Sequence, residues 1–260
     1  MNFTTVYAVA TIGFMLSLPL SRAENAVSEN AAVAYTFTVP AAGAYALVAL
    51  SHEAFGGGDL TLLEMFGTNQ LRKSGVKTLV DRVMIYDPLG TPTPGYRTYG
   101  QKPDGLFYNV DAWTGAPITN RFAPGTGFWL SQPTSAASNK VIRLFGQVVD
   151  SPSSTKAVIA GMQMIGGLYS APLVLTNNSW LADGAVGNNV KTLCDRIMIF
   201  NGTSYSELGL RADGHWRFIS NPDQWTTGPD IVEALAVGQG AWYRARTSFN
   251  WSETKPYSYP

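Results

Sequence analysis

Val76-Lys77-Thr78-Leu79-Val80-Asp81-Arg82-Val83-Met84-Ile85-Tyr86-Asp87 returns 114 residues later as Val190-Lys191-Thr192-Leu193-Cys194-Asp195-Arg196-Ile197-Met198-Ile199-Phe200-Asn201. Eight of the twelve positions are identical, and the other four keep approximate size. Two further blocks follow in the same order. Lys102-Pro103-Asp104-Gly105 answers Arg211-Ala212-Asp213-Gly214. Pro124-Gly125-Thr126-Gly127-Phe128-Trp129 answers Val237-Gly238-Gln239-Gly240-Ala241-Trp242. Collinear self-similarity at a nearly constant offset is the mark of an internal duplication.

The repeated pieces read as strands and tight turns. Val80–Tyr86 is β-branched and aromatic, and Asp87-Pro88-Leu89-Gly90 follows it as a turn. Asn201-Gly202, Asp104-Gly105 and Asp213-Gly214 read as hairpin turns. Gly127 and Gly240 belong to a turn that feeds a strand and plants Trp129 and Trp242 in the core. Further strands are expected at Ala34–Val39, Ala44–Leu50, Val141–Val149 and Ala157–Ile165. Helix is scarce: Asp59 is positioned to cap Leu60–Phe66, with Gly67 as its stop, and Ile231–Ala236 is a second short candidate. The expected fold is therefore mainly β: two tandem homologous β-sandwich or barrel-like modules with few short helices. Asp150–Lys156 has linker composition, which divides the chain into residues 24–150 and 151–260.

Residues 1–23 read as a signal peptide. Val6–Leu20 is mostly apolar and uncharged, and Ser21-Arg22-Ala23 offers small residues for a cut after Ala23. No later segment is long and apolar enough to span a membrane, so none is expected after signal cleavage. The expected location is the cell surface or the extracellular medium, with the periplasm as the other compartment. Eighteen basic and eighteen acidic side chains, with no basic stripe, argue against a nucleic-acid partner. Cys194 is the one cysteine. It cannot form an internal disulfide and reads as a small buried residue before a strand.

The Gly-aromatic apolar strand Ala41-Ala42-Gly43-Ala44-Tyr45-Ala46-Leu47-Val48 and the late turn Pro124-Gly125-Thr126-Gly127-Phe128-Trp129 resemble those of exported proteins of verrucomicrobial and related bacteria. These carry a signal peptide and one or two β-modules. Val237 stands where the second copy would have the turn proline. The resemblance implies the fold and export, and brings no activity or catalytic residues.

Catalysis needs convergent reactive groups, and the sequence offers no such constellation. His52 and His215 occupy unrelated positions in the two copies and read as surface residues. No multi-histidine zinc spacing, nucleophile elbow, phosphate loop or acidic calcium loop is present, so no metal and no cofactor is expected. Gly125-x-Gly127 and Gly238-x-Gly240 lack the third glycine of a dinucleotide site. Asp81-Arg82 and Asp195-Arg196 recur as a structural pair. Adjacent strand residues face opposite ways, so the two members are not expected to bond each other.

The reading that results is a non-catalytic secreted or cell-surface structural protein. Its expected partner is itself, in a filament or layer built by β-strand addition of the segment around Ala34–Pro40. The alternative is an extracellular carbohydrate-binding protein. It would stack Tyr96, Tyr99, Tyr108 and Trp113, with Trp216 and Trp225 of the second copy, on the sugar rings of a polysaccharide.

Overall fold

The second half of each copy of the repeated stretch becomes a strand, and the rest of the chain is arranged around the two. In the computed structural model the described residues are 32–177, 180–220, 222–228, 231 and 234–258. The expected signal peptide and its cut lie outside them. The first part of the chain runs β1 (Ala32–Val39), β2 (Tyr45–Ala49), β3 (Leu60–Thr61), α1 (Leu62–Phe66), β4 (Arg82–Asp87), β5 (Gly95–Gln101), β6 (Phe107–Asn109), β7 (Arg121–Phe122), β8 (Gly127–Ser131) and β9 (Lys140–Gln147). The second runs β10 (Ser153–Val158), β11 (Gly161–Ile165), β12 (Leu173–Val174), α2 (Trp180–Asp183), β13 (Arg196–Phe200), β14 (Tyr205–Leu210), β15 (Trp216–Phe218), α3 (Pro222–Thr226), β16 (Ala234–Leu235), β17 (Ala241–Ala245) and β18 (Phe249–Thr254). No helix among the described residues is long and apolar enough to cross a membrane.

The strands form several antiparallel sheets. A five-stranded sheet has the order β2-β8-β4-β5-β6, and another the order β11-β17-β13-β14-β15. The small sheets β1-β9, β3-β7, β10-β18 and β12-β16 complete the set. In register, Trp129 faces Leu47 and Met84 on its two neighbours, and Trp242 faces Met164 and Met198.

Alternation along each strand decides where the apolar side chains go. Val48, Val83, Phe128 and Leu130 point to one core, roofed by Val39, Ile142 and Leu144 of the β1-β9 pair. Ile165, Ile197, Ala241 and Tyr243 point to a second core, roofed by Val158 and Trp251 of the β10-β18 pair. The residues between them, Leu47, Trp129, Met164 and Trp242, form a third cluster. Each large sheet is therefore buried on both faces, which is why its central strands are apolar almost without interruption.

Local chemistry departs from expectation at several points. Ala157–Ile165 is two strands, not one, broken before Gly161, whose φ is 105°. Helix α1 is capped by Thr61, not Asp59: Glu64 N–H donates to the Thr61 hydroxyl, and the Glu64 carboxylate accepts from Thr61 N–H. Gly67 does end that helix. Ala234–Leu235 is a strand paired with β12, not helix, and Val232-Glu233 lies outside the described residues. Asn201-Gly202 belongs to a four-residue hairpin loop, with Asn201 N–H donating to Ser204 O at 3.0 Å. Ser153–Lys156 of the expected linker is strand β10.

Candidate functional site

The third cluster is a seam where the two large sheets meet face to face. Its contacts are reciprocal. Ala49 N–H donates to Gly238 O at 2.8 Å, and Gly166 N–H donates to Gly125 O at 3.1 Å. Val48 bridges Gln239, and Ile165 bridges Thr126. Trp129 meets Phe200 edge-on with ring centres 5.1 Å apart, and Trp242 meets Tyr86 in the same way at 5.1 Å. Each aromatic pair of this kind adds about 0.5–1.5 kcal/mol beyond area burial. The Trp129 indole donates to the Tyr96 hydroxyl at 3.2 Å, and Trp242 is hydrogen-bonded to Tyr205.

The Gly-x-Gly blocks make this approach possible. Gly125 and Gly238 turn the chain with φ of 80° and 77°. A Cβ on Gly127 would stand 2.9 Å from Met164 Cβ, and one on Gly240 would stand 2.7 Å from Val48 O. These glycines accept the opposing strand's backbone, a role beyond the turn expected from sequence. Trp129 and Trp242 are buried as expected, but between the sheets instead of inside either roofed core.

The recurrent aspartates hold the loop before each central strand. Asp81 accepts Arg72 N–H at 2.7 Å and pairs with the Lys140 ammonium. Asp195 accepts Val186 N–H at 3.1 Å, Arg246 N–H at 2.6 Å and the Tyr243 hydroxyl at 2.8 Å. Burial nonetheless pushes the Asp195 carboxyl above its ordinary value. The Arg196 guanidinium donates to the Glu207 carboxylate at 2.6 Å and to Lys191 O at 2.9 Å. Arg82 occupies the matching place at the start of β4.

Most of the aromatic side chains considered for glycan stacking are structural. Tyr99, Tyr108, Trp216 and Trp225 are buried, so their faces are not available to a ligand. Trp113 is half-buried, and its indole donates to Gly75 O at 2.9 Å, just as Trp225 donates to Asn189 O at 3.0 Å. The Lys102 ammonium sits over the Tyr108 ring. Tyr96, 45 % exposed, is the member with an open face. Among the exposed rings that sequence reasoning missed is Tyr45, packed edge-on against Trp129. With Phe37, Phe200 and the Val237-Gly238 turn it lines a crevice of about 330 Å³ between the sheets, which has no charged side chain in its wall.

Three titratable groups, His52 and Glu253 buried and Lys156 half-buried, sit in unusual settings. His52, expected at the surface, is fully buried beneath Tyr35 and against Gly146. Desolvation lowers its imidazole to about 4. Burial raises the Glu253 carboxyl to about 7, although it accepts Leu168 N–H at 2.8 Å. Burial lowers Lys156 to about 8. The Cys194 thiol is buried as expected, donates to Lys191 O at 3.2 Å and is pushed up by desolvation. Among the described residues no group of three or more His, Cys, Asp and Glu is gathered to hold a metal ion. Comparison with known protein families, with curated proteins and with solved structures returns no match for this chain.

Proposed function

We propose that the chain is a non-catalytic secreted or cell-surface structural protein of two tandem homologous β-modules, residues 24–150 and 151–260, that assembles with itself into a filament or layer. The observation that carries this reading is the reciprocal seam. Position-matched residues exchange the same backbone bonds across it, as equivalent residues do in a twofold dimer. The recurring Asp and Trp side chains and the recurring glycines serve that seam and the loops beside it, not a reacting centre. A net charge of zero weakens repulsion between copies. Electron microscopy and light scattering of the purified protein across a concentration series test the reading. Ordered filaments or layers are expected; monodisperse particles at every concentration overturn it.

A second reading is favoured by the uncharged crevice: an extracellular polysaccharide bound against Tyr45 and Phe200 in place of the stack expected from sequence. A glycan array with Tyr45→Ala as control tests it. Binding lost in the variant supports the reading, and no glycan bound by the unmodified protein removes it.

A further inference from the structure

We infer that β1 is an exchangeable strand, donated by one copy of this chain to the β9 of another. The inference rests on the self-assembly reading and names its donor, acceptor and hinge. The donor lies at the N-terminal end of the described chain and pairs with β9 through eight residues, Ala32 opposite Gln147 to Val39 opposite Lys140. A neighbour cannot simply add to the outer edge of β9, because Gln70 already occupies it. The Gln70 amide donates to Arg143 O at 2.6 Å and accepts Arg143 N–H at 2.7 Å. Asp183 does the same for β18, accepting Ser252 N–H at 2.9 Å. Such side-chain clamps shield sheet edges from addition. The place open to a partner strand on β9 is thus the one β1 fills.

The hinge supplies the reason to move. β1 joins β2 through Pro40–Ala44, and in this connection Ala42 has φ 55°. It is the non-glycine residue with a left-handed backbone among the described residues. That conformation disfavours an alanine by about fivefold or more in equilibrium constant. An opened hinge of five residues reaches about 17 Å and relieves the strain, and Pro40 stiffens it in the extended form. The exchanged strand remakes the contacts of Tyr35, Phe37 and Val39 in the other copy. Reciprocal exchange gives a closed dimer, and one-way exchange gives an open chain. β10 has no such freedom: two residues separate it from β11, against the five that join β1 to β2.

Engineered thiols decide the matter. Thr36 and Arg143 face each other, both exposed. The Arg143 backbone groups point to Gln70, so this is a pair without mutual hydrogen bonds and close enough for a disulfide. Cys194 is buried and does not compete. Full-length Thr36→Cys and Arg143→Cys proteins are mixed at assembling concentration and oxidised; the double variant in one chain serves as the geometric control. The expected result is a disulfide between a Thr36→Cys chain and an Arg143→Cys chain, with Ala42→Gly lowering its yield about fivefold. Assemblies that form without this crosslink overturn strand exchange and leave self-assembly standing. A protein that stays monomeric and uncrosslinked at all concentrations overturns both.

Discussion

Replacing Glu253 with glutamine should make the protein more stable, and only above mildly acidic pH. Glu253 is 6 % exposed and shares the inward face of β18 with the fully buried Trp251. Burial raises its carboxyl from 4.5 to about 7, outweighing the hydrogen bond from Leu168 N–H. A carboxyl raised in the folded state keeps a proton that the unfolded chain releases. Stability is therefore whole below about pH 4.5, falls as pH rises and has lost about 3 kcal/mol above pH 7, at 1.36 kcal/mol per pH unit. Glutamine carries no charge, and its amide oxygen can still accept the Leu168 N–H. The difference between Glu253→Gln and the unmodified protein should be near zero at pH 4 and climb to about 3 kcal/mol in the variant's favour by pH 8. Comparing the two proteins cancels the titration of every other group, Lys156 included. Urea unfolding at pH 4, 5.5, 7 and 8 measures it. With a slope of about 2 kcal/mol per molar for a small domain, the midpoint gap at pH 8 is about 1.5 M. A gap that does not change with pH, or a variant less stable at pH 8, would refute the argument that desolvation sets this carboxyl.

His52 acts in the opposite sense. Its folded value of about 4 lies below the ordinary 6.5, so the unfolded state takes the proton first and about 3 kcal/mol is lost as pH falls from 6.5 to 4. His52→Gln should remove that slope in the same unfolding series. At the seam, Gly127→Ala and Gly240→Ala should each lose about 1–3 kcal/mol, because the new methyl meets backbone or a β-carbon that must shift. Gly75→Ala, with open space at its Cβ, is the matched control and should be nearly neutral by thermal melting. Cys194 should resist a thiol reagent in the native protein and react at once when unfolded.

What sequence made legible was whatever one strand and its turn contain. The central strand β4 and its match β13 showed as a β-branched run entered by Asp-Arg, and Asp104-Gly105 showed as a turn because its glycine sits at φ 83°. The break inside Ala157–Ile165 was hidden because Ile159-Ala160 continues an apolar run, and only Gly161 marks it. Thr61 and Glu64 carry the spacing of a capping box, while Asp59 is the better single cap by residue type, so local propensity points two residues too early. The burial of His52 was not local information at all. Its ring fits because Gly146, some ninety residues away, has no side chain where a Cβ would stand 2.0 Å from His52 Cδ2.

The seam shows why the site itself resisted a reading from sequence. Gly-x-Gly before an aromatic residue is compatible with a turn, and the turn is there, so nothing in the motif asks for a further explanation. What the second glycine does depends on an opposing strand that approaches from the other half: β11 for Gly127, β2 for Gly240. Each half supplies both the glycine turn and the strand that leans on it, so the motif becomes intelligible only once the two halves are placed face to face. The same reasoning separates the aromatic residues. Trp113, Tyr108 and Trp225 crowd the sequence because each half uses them to close its own loops, and Trp216 packs in the second core, whereas Tyr45, far from them in sequence, is left open at the edge of the seam. Density of aromatic residues along the chain thus marks packing here. Openness is decided by where one sheet ends against the other, which is a property of the pair of sheets and of neither alone.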